Sequence, residues 1–167
     1  MERATRKQTR LKKWDYSQGG GYFVTICTKN REELLCDAAP CRGAPCAPVF
    51  SATFSLTVIG EMVDAAIKRI PICYPSVSVE QYVIMPNHIH MIIILHDSSG
   101  RTRCAPTIPN IVKQTKEYVT KHLGFSIWQK SYYDHIIRDE QDFQRIWRYI
   151  DTNPQKWEDD CYYKESD

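Results

Sequence analysis

The stretch from Val77 to Leu95, VSVEQYVIMPNHIHMIIIL, constrains the fold more than any other part of the chain. It opens with a run rich in β-branched and aromatic residues, passes through Pro86-Asn87, a favoured turn pair, and returns as His88–Leu95. This is the signature of a β-hairpin with two histidines at the start of its returning strand. Side chains alternate faces along a strand, so His88 and His90 project together and Ile89 points the other way. Two imidazoles on one rigid strand edge can share a metal ion with little rearrangement, but a third ligand must come from elsewhere in the fold. The competing reading of a bare His-x-His is a pair of half-exposed strand histidines.

The rest of the chain supplies elements to pack on that hairpin. YFVTICTKN, Tyr22–Asn30, reads as a further strand after the turn SQGGG. Ile59, Met62, Val63, Ala66, Ile67 and Ile70 recur at helical spacing, and Pro71 is expected to end that helix. Residues 108–123 read as a helix closed by Gly124, with Lys113, Lys116 and Lys121 on its polar side. SIWQKSYYDHIIRD reads as extended. In the final helix Asp139 serves as cap, Phe143, Ile146, Trp147 and Ile150 form the apolar stripe, and Pro154 stops or kinks it. The order strand, helix, strand, strand, helix, extended segment, helix predicts an α+β fold, with helices packed on a small antiparallel sheet.

At 167 residues, 43% hydrophobic and 25% charged, the chain fits one globular domain. Net charge is +2 and decides nothing about a nucleic-acid partner, but its distribution is uneven. Residues 1–13, MERATRKQTRLKK, carry six basic side chains and one acidic, a footprint suited to phosphate backbones or simply a solvated tail. The expected layout is a basic arm at 1–13, a single domain at 14–160 with loop insertions at about 36–48 and 97–107, and an acidic tail at 161–167. No function is assigned to the two Cys/Ala/Pro-rich loops. Seven cysteines without a CxxC pair match no standard zinc knuckle and suit a reducing cytoplasm. No secretory signal is legible, and the longest apolar run, MIIIL, is far too short to span a bilayer, so no membrane partner is expected.

On the last helix, Tyr149 falls roughly 110° from the centre of the apolar stripe, so it is not a simple core residue. Asn153 lies one turn further on the same flank, which puts a phenol and an amide oxygen about 6 Å apart. A tyrosine nucleophile needs help, because its ordinary pKa of about 10 keeps it protonated. Tyr132 and Tyr133 are formal competitors but more naturally pack or stack. His135 reads as a hydrogen-bonded scaffold residue, and nothing in the spacing draws Glu80 or Asp134 to a metal.

MPNHIHMI, followed at a distance by WQKSYYDHIIRDEQDFQRIWRYIDTNPQKW and preceded by DYSQGGGYFVTICTKNR, resembles the REP-associated tyrosine transposases. These are relatives of the one-tyrosine single-strand insertion-sequence transposases in the HUH endonuclease superfamily. The resemblance runs from about Asp15 to Trp157. It implies a ferredoxin-like HUH fold, a divalent metal (Mg²⁺ or Mn²⁺) on His88 and His90, Tyr149 as nucleophile, and Asn153 as the polar residue completing the metal site. In the wider insertion-sequence group that last place is often glutamine, a similar amide-oxygen ligand. The implied reaction is cleavage and rejoining of single-stranded hairpin DNA through a 5′-phosphotyrosine, with no nucleotide cofactor. Arg3, Arg6, Lys7, Arg10, Lys12, Lys13, Lys113 and Lys116 are the candidate DNA contacts, chiefly to phosphates. The expected setting is the cytoplasm, at the nucleoid, as a monomer or a homodimer. Two competing functions are a repeat-binding protein that does not cut and a metal-dependent hydrolase that uses water in place of Tyr149.

Overall fold

The computed structural model describes residues 19–37, 55–96 and 106–163. Its centre is a four-stranded antiparallel sheet built from β1 (Gly20–Cys27), β4 (Val77–Met85), β5 (His88–Leu95) and β6 (Tyr133–Ile137), in the spatial order β4-β5-β1-β6. Two short strands, β2 (Cys36–Asp37) and β3 (Ser55–Leu56), pair separately. Helices α1 (Val58–Lys68) and α3 (Ile108–Leu123) give the main sheet a βαββαβ succession, and its strand order is that of a ferredoxin-like α+β fold.

Strand alternation sorts the core into two layers. Tyr22, Val24 and Ile26 of β1 and Ile89, Met91 and Ile93 of β5 face α1 and α3, where Val63, Ile67, Ile111, Val112 and Val119 cover them. Phe23 and Ile92 face the other way, onto Ile146 and Ile150 of α4 (Glu140–Thr152). β5 therefore has helices on both sides, and this is why MIIIL is continuously apolar rather than alternating. Each fully buried isoleucine there stabilises the fold by roughly 1.5–3 kcal/mol in transfer terms.

Local signals set the helix ends. The Thr57 side chain accepts from the Gly60 amide at 3.1 Å, and Asp139 accepts from the Asp142 amide at 2.8 Å. Gly124 closes α3 in the left-handed region at φ 80°, donating to the Thr120 carbonyl at 2.9 Å.

Four expectations are corrected. Pro71 does not end the first helical region but sits in the opening turn of a separate short helix, α2 (Ile70–Cys73), where a missing amide N–H costs nothing. β1 stops at Cys27 instead of running to Asn30, because Asn30 and Arg31 take positive φ and turn the chain. Cys36 and Asp37 belong to a strand rather than to the following loop. Of the segment 126–139, only Tyr133–Ile137 joins the sheet, with Trp128 making an isolated bridge to Thr28. The basic arm and most of the two Cys/Ala/Pro-rich loops lie outside the described residues.

Candidate metal and nucleophile site

His88 and His90 head β5 on the face that α4 covers, and both are essentially fully buried. Farther along that face β5 presents Ile92, against which the apolar stripe of α4 packs. That packing leaves the C-terminal end of α4 over the histidines and brings Tyr149 to them. The Tyr149 hydroxyl lies 3.3 Å from Nε2 of His90, which is 3.0 Å from Nε2 of His88. Tyr149 remains 41% exposed.

Hydrogen bonds behind the rings fix which nitrogens face the centre. The Asn87 amide nitrogen donates to the Tyr162 carbonyl at 2.8 Å, so its oxygen is the group facing Nδ1 of His88, also at 2.8 Å. An amide oxygen only accepts, so His88 carries its proton on Nδ1 and presents a lone pair at Nε2. Nδ1 of His90 is 2.8 Å from the Thr25 hydroxyl, which can donate or accept. When Nδ1 of His90 is the protonated nitrogen, two Nε2 lone pairs face each other across 3.0 Å, an arrangement that calls for a cation between them. Burial holds both rings neutral. With Arg31 added, it brings His88 down to about 3, and with the neighbouring His88 added, it brings His90 to about 3. Neutral imidazole is the ligand form.

A carboxylate completes the group. Asp160, which caps the 3-10 helix (Asn153–Asp159) that follows α4, lies with His88 and His90 so that their ligand atoms are all within 4.8 Å of one another. Its Oδ1 accepts from the Tyr162 amide at 2.7 Å, and its Oδ2 accepts from the Asn153 amide at 2.9 Å and from the Tyr149 hydroxyl at 3.4 Å. Asn153 is buried, and its Oδ1 has no hydrogen-bond partner. A buried, unpartnered acceptor is costly, and a cation satisfies it. The donor set present, two imidazoles, a carboxylate and an orphaned amide oxygen, thus fits a divalent ion. Burial, and next the Asp160 charge, raise the Tyr149 phenol above its ordinary pKa, so it stands protonated at neutral pH.

The structure brings together His88, His90, Tyr149 and Asn153, which local spacing groups only as two separate pairs and the resemblance joins, and it adds Asn87, Thr25, Asp160 and Tyr162. The Tyr162 ring lies tilted over His88 at 4.5 Å, and Arg31 holds it there, its guanidinium 5.0 Å from the ring and bonded to the Cys161 carbonyl at 2.9 Å. Composition alone made Asp160 and Tyr162 look like the border of an acidic tail. The aromatic pair Tyr162-Tyr163 was the available signal that the segment packs. Glu80 instead accepts from Ser78, and Asp134 points to the α1/α3 side of the sheet, beside Val24. Tyr132 packs into the α1/α3 core, and His135 bonds Asp142 at 2.7 Å. Lys113 and Lys116 stand on α3, across the sheet from the site. Lys116 donates to the carbonyls of Gln129 and Ser131 at 2.8 and 3.0 Å, and Lys113 pairs with Glu117 at 3.7 Å. Arg3, Arg6, Lys7, Arg10, Lys12 and Lys13 lie outside the described residues. No described helix is long and apolar enough to cross a membrane.

No family model matches the chain. A protein of uncharacterised function from Haemophilus influenzae is 34% identical over 178 residues, covering 95% of this chain and 93% of its own. The REP-associated tyrosine transposase of Escherichia coli is 27% identical over 146 residues, covering 84% of this chain and 70% of its own. A REP-associated tyrosine transposase solved bound to a REP hairpin shares the fold, with a TM-score of 0.63 at 23% identity, covering 89% of this chain and 74% of that one. Over most of its length the chain is similar to proteins named as REP-associated tyrosine transposases, at 25–27% identity.

Proposed function

We propose that this chain is a metal-dependent single-stranded DNA endonuclease and strand transferase of the transposase type, acting on repeat hairpins through a 5′-phosphotyrosine. The observation that carries this reading is the oxygen of the part-exposed Tyr149, 3.3 Å from Nε2 of His90, which itself lies 3.0 Å from Nε2 of His88. Support for a hairpin substrate comes from the related transposase solved with a REP hairpin.

His88, His90 and Asp160 would hold the ion, Mg²⁺ or Mn²⁺, with the unpartnered oxygen of Asn153 as a further ligand. When bound, the ion polarises the scissile phosphate and offsets the charge that develops on its oxygens. Asn153 steers the Asp160 carboxylate through its amide N–H, and Thr25 and Asn87 hold the imidazoles in register. Tyr149 gives up its proton toward Asp160 as its oxygen attacks phosphorus. The bond from phosphorus to the 3′ oxygen breaks, and that oxygen leaves as a hydroxyl after taking a proton from solvent. The 5′ phosphate stays on Tyr149, so bond energy is conserved, and a 3′-OH can attack it in reverse to rejoin strands. The basic residues 3–13, with Lys113 and Lys116, are proposed as contacts to the hairpin's phosphates.

The test is cleavage of single-stranded hairpins taken from repeats flanking the gene, with Mn²⁺ or Mg²⁺, resolved on a denaturing protein gel. A slower-migrating protein–DNA adduct is expected for the native chain and none for Tyr149→Phe. Cutting that survives Tyr149→Phe without an adduct means water is the nucleophile, and tight binding without cutting by the native chain means a binding protein.

A further inference from the structure

The aromatic groups around the site extend beyond the nucleophile. Phe23 of β1, buried under α4, stacks on the His90 ring at 5.2 Å and 29°. The Tyr149 ring meets Phe23 edge-on at 6.0 Å, and so does Tyr133 of β6, at 6.5 Å. Tyr133 is directly opposite Thr25, the residue whose hydroxyl touches His90. It therefore sits on the same face as the site, across Phe23 from the nucleophile and within the span of a nucleotide or two. Yet it is 48% exposed. Its neighbour on that face, His135, is engaged by Asp142 of α4. Among the described residues, the other large apolar side chains that stand exposed, Leu56, Val58, Ile72 and Phe125, are not among the ring contacts of the site.

An exposed cation stands on α4, linked through Asp142 to His135 of the same strand as Tyr133. Arg145 lies one turn before Tyr149 on the same flank of α4, with its side chain 73% exposed. It pairs with Asp142, the carboxylate that also holds His135 of β6. An exposed aromatic ring and an exposed guanidinium on one face of a site can together hold single-stranded nucleic acid, the ring taking a base and the cation its phosphate. Stacking needs only a π face, so it suits an unpaired base beside the scissile bond rather than the paired stem.

Building on the function proposed above, we infer that Tyr133 is the stacking platform for the unpaired base adjoining the scissile phosphate, and that Arg145 contacts the next backbone phosphate. Both are positioning residues that place the phosphate under Tyr149.

The test uses the full chain and a hairpin oligonucleotide carrying 2-aminopurine at each unpaired position beside the mapped cut. With Tyr149→Phe blocking cleavage, fluorescence at one position is expected to be quenched on binding. Adding Tyr133→Phe preserves the quenching, and adding Tyr133→Val, which keeps a strand-favouring side chain, abolishes it. In the chain with Tyr149 intact, Tyr133→Val raises the KM for cleavage roughly tenfold or more, with a much smaller change in kcat. A trimmed hairpin lacking the unpaired flank binds both Tyr133 forms equally. Arg145→Gln lowers the salt dependence of binding by about one phosphate's worth. If the native chain cuts and Tyr133→Val leaves both quenching and KM unchanged, this inference is wrong while the proposed function stands. If the native chain neither binds nor cuts the hairpins, the proposed function falls and takes this inference with it.

Discussion

Asn87 joins three pieces of the molecule: the hairpin turn that carries it, the segment after α4 at Tyr162, and the first histidine. It performs no chemistry in the proposed reaction, yet its fixed amide orientation decides which nitrogen of His88 faces the ion. In Asn87→Ala, Nδ1 of His88 and the Tyr162 carbonyl both lose their partner. Such supporting bonds typically change metal affinity 10- to 100-fold. Mn²⁺ titration by calorimetry should therefore show a Kd at least tenfold higher in Asn87→Ala, with the fold retained by circular dichroism. An unchanged Kd would mean that the His88 ring is oriented by its packing against Tyr162 and Trp157 alone. The same residues mark what can be read from sequence. His88 and His90 share a face by strand period, and Tyr149 and Asn153 share a flank by helical period, so both pairs follow from local geometry. Asn87 looked like an ordinary turn residue and Asp160 like one acid among several. Their roles arise from contacts spanning 75 residues in the Asn87–Tyr162 bond, and no local period encodes that.

At the scale of elements, α1 is located by one close approach. A Cβ built at Gly60 would stand 2.0 Å from the Leu35 carbonyl oxygen, which also accepts from the Thr57 amide at 3.0 Å. The first turn of the helix thus rests directly on the backbone before β2, and Leu35 in turn donates to the Pro86 carbonyl at 2.9 Å, under the histidine turn. Gly60→Ala forces backbone, not a flexible side chain, to move. A destabilisation of about 3 kcal/mol is expected, which for a chain of this size lowers Tm by roughly 6–12 °C. Calorimetric melting checks it, and a Tm within a degree or two of the parent would show that α1 can shift freely. No local pattern marks Gly60 as a contact point, since the backbone it meets lies 25 positions away. Pro71 is the related case. Proline's incompatibility with a helix interior was legible, but its tolerance in a first turn let α2 start where the pattern was expected to stop.

For the whole molecule, the sheet places two neutral imidazoles in its interior, and that has a consequence for stability against pH. In the folded, metal-free protein His88 and His90 lie at about 3, whereas an unfolded imidazole takes up its proton near 6.5. Below pH 6.5 the unfolded chain binds protons that the folded chain refuses, so the equilibrium moves toward unfolding as pH falls, down to about 3. Each histidine contributes a slope approaching 1.4 kcal/mol per pH unit, so the pair should cost roughly 2 kcal/mol between pH 6 and pH 5. Urea unfolding with a chelator present measures this directly, and the double variant His88→Gln/His90→Gln should lose most of the slope. Because a divalent ion binds only the folded arrangement, saturating Mn²⁺ should raise stability at neutral pH, and the rise should vanish in the same variant. The opposite sign, a native protein that holds its stability from pH 6 to pH 5 while the double variant loses it, would mean that the histidines keep a shared proton between their Nε2 atoms. The cation called for by the facing lone pairs would then be that proton rather than a metal.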